Sequence, residues 1–152
     1  MKKLFITIMF VLLGSQASAW VSKGFVPANV SQITVNIDDQ ASDGCWANIG
    51  EVKRYAEDKL ELVGFMVSRY KFEGFVDDRE YILNVMVNAK RGAVKCFGHI
   101  QFSIAKYIHN NNMDGIFAVG EYGSNFTGSD NTNQNTLRLM GDFMKEVEDP
   151  KS

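Results

Sequence analysis

The sequence is short of the residues and motifs from which active sites are commonly built. It holds two cysteines and two histidines, and its 16 Lys and Arg are scattered rather than clustered. There is no G-x-S-x-G elbow, no P-loop, no H-E-x-x-H and no C-x-x-C, so the familiar hydrolase, NTPase, zincin and redox signatures are all absent. Nucleic acid is a poor partner for a mildly acidic chain without a basic patch, because phosphate binding depends on clustered cations. Only one stretch, Leu4 to Leu13, is continuously apolar apart from Thr7. A membrane-spanning helix needs about 20 such residues, so no membrane span is expected.

That stretch has a different meaning in context. Lys2 and Lys3 precede it, and the small residues Ala17-Ser18-Ala19 follow it. A basic start, a short apolar run and an A-x-A site together predict a secretory signal peptide of bacterial style over residues 1–19, cut before Trp20. No cysteine stands at the cut, which argues against a lipid anchor. The remaining segment, residues 20–152, is expected to form one domain of ordinary size. Loss of Lys2 and Lys3 leaves 14 basic against 18 acidic residues. The protein is therefore expected in the periplasm or outside the cell.

Both cysteines, Cys45 and Cys96, lie in the mature part. In an oxidising compartment two cysteines predict a disulfide, and only one pairing exists. Two buried thiols or a metal site are the alternatives. Cys96-Phe97-Gly98-His99 has C-x-x-H spacing. On a strand, however, positions 96 and 99 point to opposite faces. Neither a zinc site, which needs convergent ligands, nor a Cys–His nucleophile pair follows from it. No metal and no cofactor are expected.

The strongest pattern lies between Arg79 and Lys106. Tyr81, Leu83, Val85, Val87 and Ala89 alternate with Glu80, Ile82, Asn84, Met86 and Asn88. Val94, Cys96, Gly98, Ile100, Phe102 and Ile104 alternate with Lys95, Phe97, His99, Gln101 and Ser103. A period of two marks half-buried strands, and Lys90-Arg91-Gly92 between them predicts a hairpin turn with Gly92 at positive φ. Burial of Tyr81, Leu83, Val85 and Val87 would stabilise the sheet by roughly 1.5–3 kcal/mol each.

Around this hairpin the chain reads as an irregular lead from Trp20 to Asn29, a strand over residues 30–37, and a helix over residues 46–63. The helix carries an apolar stripe of Ile49, Val52, Ala56, Leu60 and Val63, with Trp46 at its head and Gly64 as its stop. Glu51, Lys53, Arg54, Glu57, Asp58, Lys59 and Glu61 are expected on its solvated sides. A strand over Phe65–Phe72 and a turn over Gly74–Asp78 lead into the hairpin. Tyr107 to Asp114 reads as a polar connection, Gly115 to Tyr122 as a last strand, and Gly123 to Gln134 as a loop rich in Gly, Asn, Ser and Thr. A second helix, capped within Asp130–Thr132, has the stripe Leu137, Met140, Phe143, Met144 and Val147 and ends at Asp149-Pro150. The order β-α-β-β-β-β-α with two amphipathic helices predicts an α+β fold. It should be a two-layer domain: a mainly antiparallel sheet with both helices packed on one face.

The helix end at Leu60–Gly64, followed by a strand and then by Asp78, Tyr81, Leu83, Val85 and Val87, resembles small α+β domains of bacterial envelope assembly proteins of the TolB N-terminal type. The resemblance implies a fold and carries no site residues.

With the helices on one face, the other face is left for a partner. Ile82, Met86 and Phe97 are apolar residues on that otherwise polar side, and His99 stands beside them. These four residues are the candidate partner surface, although Trp20, Phe25 and Val26 of the lead could equally lie across them. The reading that follows is a secreted or periplasmic, non-enzymatic binding or assembly module of the bacterial envelope, whose partner is another envelope or secreted protein. A small hydrolase-like enzyme or effector using His99 or His109 with a carboxylate is the alternative. An inhibitor or immunity protein is a further one.

Overall fold

The computed structural model describes residues 19–71, 77–110 and 113–150, with the side chains at positions 109, 110, 113 and 114 outside that description. Most of the predicted signal segment, residues 72–76 with the first part of the expected turn, and the C-terminal Lys151-Ser152 therefore lie outside the described residues. The elements run β1 (Trp20–Val21), a single 3-10 turn (Pro27–Asn29), β2 (Gln32–Asp39), α1 (Ile49–Val63), β3 (Val67–Ser68), β4 (Glu80–Arg91), β5 (Cys96–Asn110), β6 (Met113–Ser129) and α2 (Asn133–Glu148). Apart from the two-residue β1, this is the order β-α-β-β-β-β-α.

The strands form one sheet in the order β1-β6-β5-β4-β2-β3. β4, β5 and β6 are joined antiparallel, and β1 adds antiparallel to the far edge of β6. β2 lies parallel to both β4 and β3. Parallel neighbours need a crossover, and α1 supplies it between β2 and β3.

The period-two pattern of the central strands sets the two faces. Leu83, Val85, Val87, Ile100, Phe102 and Ile104 are fully buried, joined by Ile33 and Val35 from β2. Both helices cover this inner face. Val52, Ala56 and Leu60 bring α1 into the core, and Met140, Phe143, Met144 and Val147 bring in α2. The Phe143 ring stacks 5.8 Å from that of Phe102, and both neighbour Tyr122. Gly64 ends α1 in the left-handed conformation, φ 103°, with its N–H bonded to the last helical carbonyls, as a side chain there would resist.

The disulfide joins Cys45, just ahead of α1, to Cys96 at the start of β5, with Cα atoms 5.8 Å apart. The start of α2 docks on the same spot. Thr132 gives both its N–H and its hydroxyl to the Cys45 carbonyl. Arg91 fans out to the carbonyls of Asp43, Gly44, Val94 and Asp130. Lys95 meets the Asp130 carboxylate at 2.7 Å, and that hydrogen bond, with the charge of Lys95, holds the Asp130 carboxyl below its ordinary pKa. One crosslink thus gathers the entry of α1, the β4–β5 turn and the entry of α2.

Several local expectations fail for identifiable reasons. The β4–β5 turn is longer than Lys90-Arg91-Gly92. It runs from Gly92 to Lys95 and is closed by the Gly92 N–H on the Lys95 carbonyl. Gly92 has no positive φ, and Val94 stands out in the turn at 71% exposure instead of joining the apolar row. The polar stretch from Tyr107 to Asp114 belongs largely to β5 and β6, which form one long hairpin. The expected loop after Tyr122 is mostly strand, because β6 continues to Ser129 with its backbone registered on β5. Of the expected strand over Phe65–Phe72, the described residues form a strand over Val67–Ser68, with the Met66 carbonyl accepting from Ile33 N–H just before it. Glu57, expected in solvent, is buried.

The lead divides between the two faces, with Trp20 opposite Glu121 on the outer side of the β6 edge. Phe25 is buried on the helix side, stacked 4.6 Å from Phe65 and tilted against the Tyr81 ring at 5.2 Å. Trp20 lies along β6.

Candidate functional site: the open face of the sheet

On the outer face the register arranges side chains in rows across the strands. Thr34, Ile82, Ala105 and Ala118 form one row, and Asn36, Asn84, Ser103 and Glu121 the next. Asp38, Met86, Gln101 and Gly123 follow, then Asn88, His99 and Asn125, and finally Lys90, Phe97 and Thr127. Amides dominate. Asn36 donates to Asn84 at 2.7 Å, Gln101 to Glu121 at 2.6 Å and Asn88 to Gln40 at 3.4 Å. The face is most open near the β4–β5 turn, where Asn88, Phe97, Asn125 and Thr127 are exposed, whereas Thr34 at the opposite end is buried.

The structure brings three of the four candidate residues together. Met86, Phe97 and His99 line one shallow hollow of about 420 Å³, with Asn88, Asn125 and Thr127 around them. Ile82 stands two rows from Met86 on β4, roughly 13 Å away at the rise of a strand, and is not part of the hollow. Phe97 keeps 47% of its surface exposed, and its ring rests beside Gly92. His99 is held by Asn125, Nδ1 to Oδ1 at 3.0 Å. With Nδ1 donating to that amide oxygen, Nε2 is left as an acceptor.

Gly123 explains the pose of His99. A Cβ at that position would stand 3.2 Å from both Cε1 and Nε2 of the ring, so the bare backbone of β6 makes room for the imidazole to lie over it. Asn125, Thr127 and Gly123 were hidden in the sequence by their composition, which is that of a loop. The signal that could have shown them is the alternation of Tyr122, Ser124 and Phe126 with Gly123, Asn125 and Thr127.

Among the described residues no carboxylate lines the hollow, and the partner of His99 is an amide. His109 is 10 residues along β5 from His99 in register with Asp114, and its side chain lies outside the described residues. Among the described residues no group of three or more His, Cys, Asp or Glu side chains could hold a metal. A second, larger cavity of about 530 Å³ opens elsewhere, beside the lead. Ser22, Asn29, Arg79 and Lys106 line it over the rings of Phe25 and Tyr81, with Lys106 Nζ 5.8 Å from the centre of the Tyr81 ring.

No protein-family model and no curated protein matches the chain. Solved structures do resemble it. The PelC dodecamer from Paraburkholderia phytofirmans is similar with a TM-score of 0.53 at 12% identity, over 87% of this chain and 96% of that one. A hypothetical protein from Chlamydia trachomatis gives a TM-score of 0.44 at 9% identity, over 77% and 95%. A minor lipoprotein from Acinetobacter baumannii gives 0.31 at 10%, over 77% and 88%. At 12% identity the likeness to PelC is one of fold.

Proposed function

We propose that the chain is a secreted or periplasmic, non-enzymatic binding or assembly module of the bacterial envelope, which presents the Met86–Phe97–His99 hollow to another envelope protein. The observation that carries this reading is the one-sided packing: both helices cover the inner face, and the outer face keeps an aromatic ring, a thioether and a positioned histidine in the open. Exposed apolar groups framed by polar ones are the usual composition of a contact site. The disulfide supports an oxidising compartment. No helix among the described residues is long and apolar enough to cross a membrane. That PelC, similar in fold, is a dodecamer supports the assembly part of the reading.

Two measurements test it. The mass of protein recovered from the periplasm of an expressing bacterium should correspond to a chain that begins at Trp20; a mass retaining residues 1–19 would refute processing. For the surface, capture from envelope extracts should lose its specific partner when Phe97→Glu and Met86→Lys are combined. Each side chain is partly or largely in solvent, so thermal stability should change little. Retention of the same partners by the double variant would remove the hollow from the contact.

A further inference from the structure

The two edges of the sheet are treated very differently. The β3 edge is two residues long, followed closely by Arg69, which pairs with Glu61 at 2.9 Å, and by Lys71. Short length and charge are the ordinary protections of an edge strand. The β6 edge has neither. β1 covers it only at Gly120 and Glu121. Beyond them, Tyr122 to Ser129 reads YGSNFTGS, with no charge and no proline. A register shift and the left-handed Gly128, φ 78°, disturb only its far end, so Tyr122 to Thr127 is an edge in unbroken register on β5, and among the described residues no strand pairs with its other side. In the processed chain proposed above, β1 begins with its first residue, Trp20, and cannot run on past Glu121.

The direction of the free backbone groups can be fixed. Ser22 N–H bonds the Val119 carbonyl at 2.7 Å, in the same ladder that sets Trp20 opposite Glu121. Backbone groups of alternate residues point to opposite edges of a strand. The N–H and C=O of Gly123, Asn125 and Thr127 therefore point off the sheet. Among the described residues, the Asn125 carbonyl receives the neighbouring Ser124 hydroxyl at 3.2 Å.

We infer that this edge pairs with the same edge of a second copy of this chain, antiparallel and about a two-fold axis at Asn125. Asn125 then faces its own copy, and Gly123 faces Thr127 of the other. Three such pairs exchange about six backbone hydrogen bonds. A two-fold contact is self-complementary by construction. Within this one no charge meets a like charge, since the paired segment has none. The two-fold stands perpendicular to the sheet, so both outer faces look the same way. The dimer presents two Phe97–His99 hollows on one continuous surface, and a partner carrying two epitopes would gain avidity from it. The avidity rests on the contact reading above, whereas the pairing itself does not.

Sedimentation of the processed protein, its N-terminus verified by mass, should show a concentration-dependent dimer between micromolar and millimolar concentrations. Asn125→Pro should weaken it by about tenfold or more, because two of the pairing bonds are lost. Proline is tolerated where the N–H faces away from the sheet, so the monomer should stay folded. Asn125→Cys should be joined to its own copy by a short bismaleimide. Thr127→Cys should not, because strand rise separates those two sites by roughly 13 Å. A monomer throughout that range overturns the pairing. So does a dimer in which Asn125→Cys fails to crosslink, whatever Asn125→Pro does to folding. Retention of the envelope partner by the Phe97→Glu, Met86→Lys variant, with the dimer intact, would instead count against the contact reading alone.

Discussion

Replacing Cys45 and Cys96 together by serine should lower the stability of the fold by about 4 kcal/mol in the chain-entropy view of a crosslink. The cysteines are 51 residues apart in sequence, and a loop of that length loses much freedom in the unfolded chain when it is closed. A native disulfide is typically worth 2–5 kcal/mol, roughly, and this one has reasons to lie in the upper part of that range. Both cysteines are fully buried. The Cys45 carbonyl is the acceptor for two donors of Thr132, so a shift of that segment loosens the start of α2 as well as that of α1. In urea the midpoint should fall by on the order of 2 M, given the usual dependence of stability on denaturant. The same fall should follow from reducing the wild-type protein, with no further fall when the double variant is treated. Equal midpoints for oxidised and reduced protein would show that the crosslink contributes nothing.

The position of this crosslink was legible in the sequence only in part. The inward-facing row placed Cys96 under the helices, and Cys45 stood just before the stripe of α1. That Arg91, Lys95, Asp130 and Thr132 converge on the same spot was not legible, because it depends on β6 carrying the chain back there. The composition of Gly123 to Ser129 concealed that strand: Gly, Asn, Ser and Thr are loop formers in isolation. Here they pair with β5 because Tyr122 and Phe126 hold one face against the helices and glycine is required where His99 lies over the backbone. Local propensity lost to register. The helices were read well for the opposite reason. Val52, Ala56 and Leu60, and likewise Met140, Phe143, Met144 and Val147, are locally periodic and owe little to distant partners. The parallel placement of β2 beside β4 had no local signal, since pairing direction is set by the crossover through α1 and not by either strand alone. On the candidate surface, alternation correctly put Met86, Phe97 and His99 on one face with Ile82. It could not say how far apart they were, and Ile82 proved to be two rows away from Met86.

Gly98 should be among the least replaceable residues of the chain. Alternation marks it as a member of the inward row, which would suggest that a larger apolar residue belongs there. The structure indicates the reverse. A Cβ on Gly98 would run into the Asn88 carbonyl oxygen and come within 2.8 Å of the Ala89 Cα. Those atoms are backbone of the paired strand β4, so the neighbour cannot turn aside as a flexible side chain could. Gly98→Ala therefore has to separate the two central strands beside the disulfide, or break the Gly98–Ala89 pair. Overpacking of a tight interior costs about 1–3 kcal/mol, and backbone rearrangement adds to that, so a loss of about 3–5 kcal/mol is expected. Gly50, in the first turn of α1, has open space where its Cβ would be. Gly50→Ala should leave stability unchanged or raise it by up to about 1 kcal/mol. Chemical denaturation of the two variants side by side separates steric contact from the general effect of adding a methyl group. If Gly98→Ala stayed within about 1 kcal/mol of the wild type, β4 and β5 would have to be free to move apart at that pair. Because Gly98 sits between Phe97 and His99 in the floor of the hollow, such freedom would also mean that the contact surface is not held in one shape by the sheet beneath it.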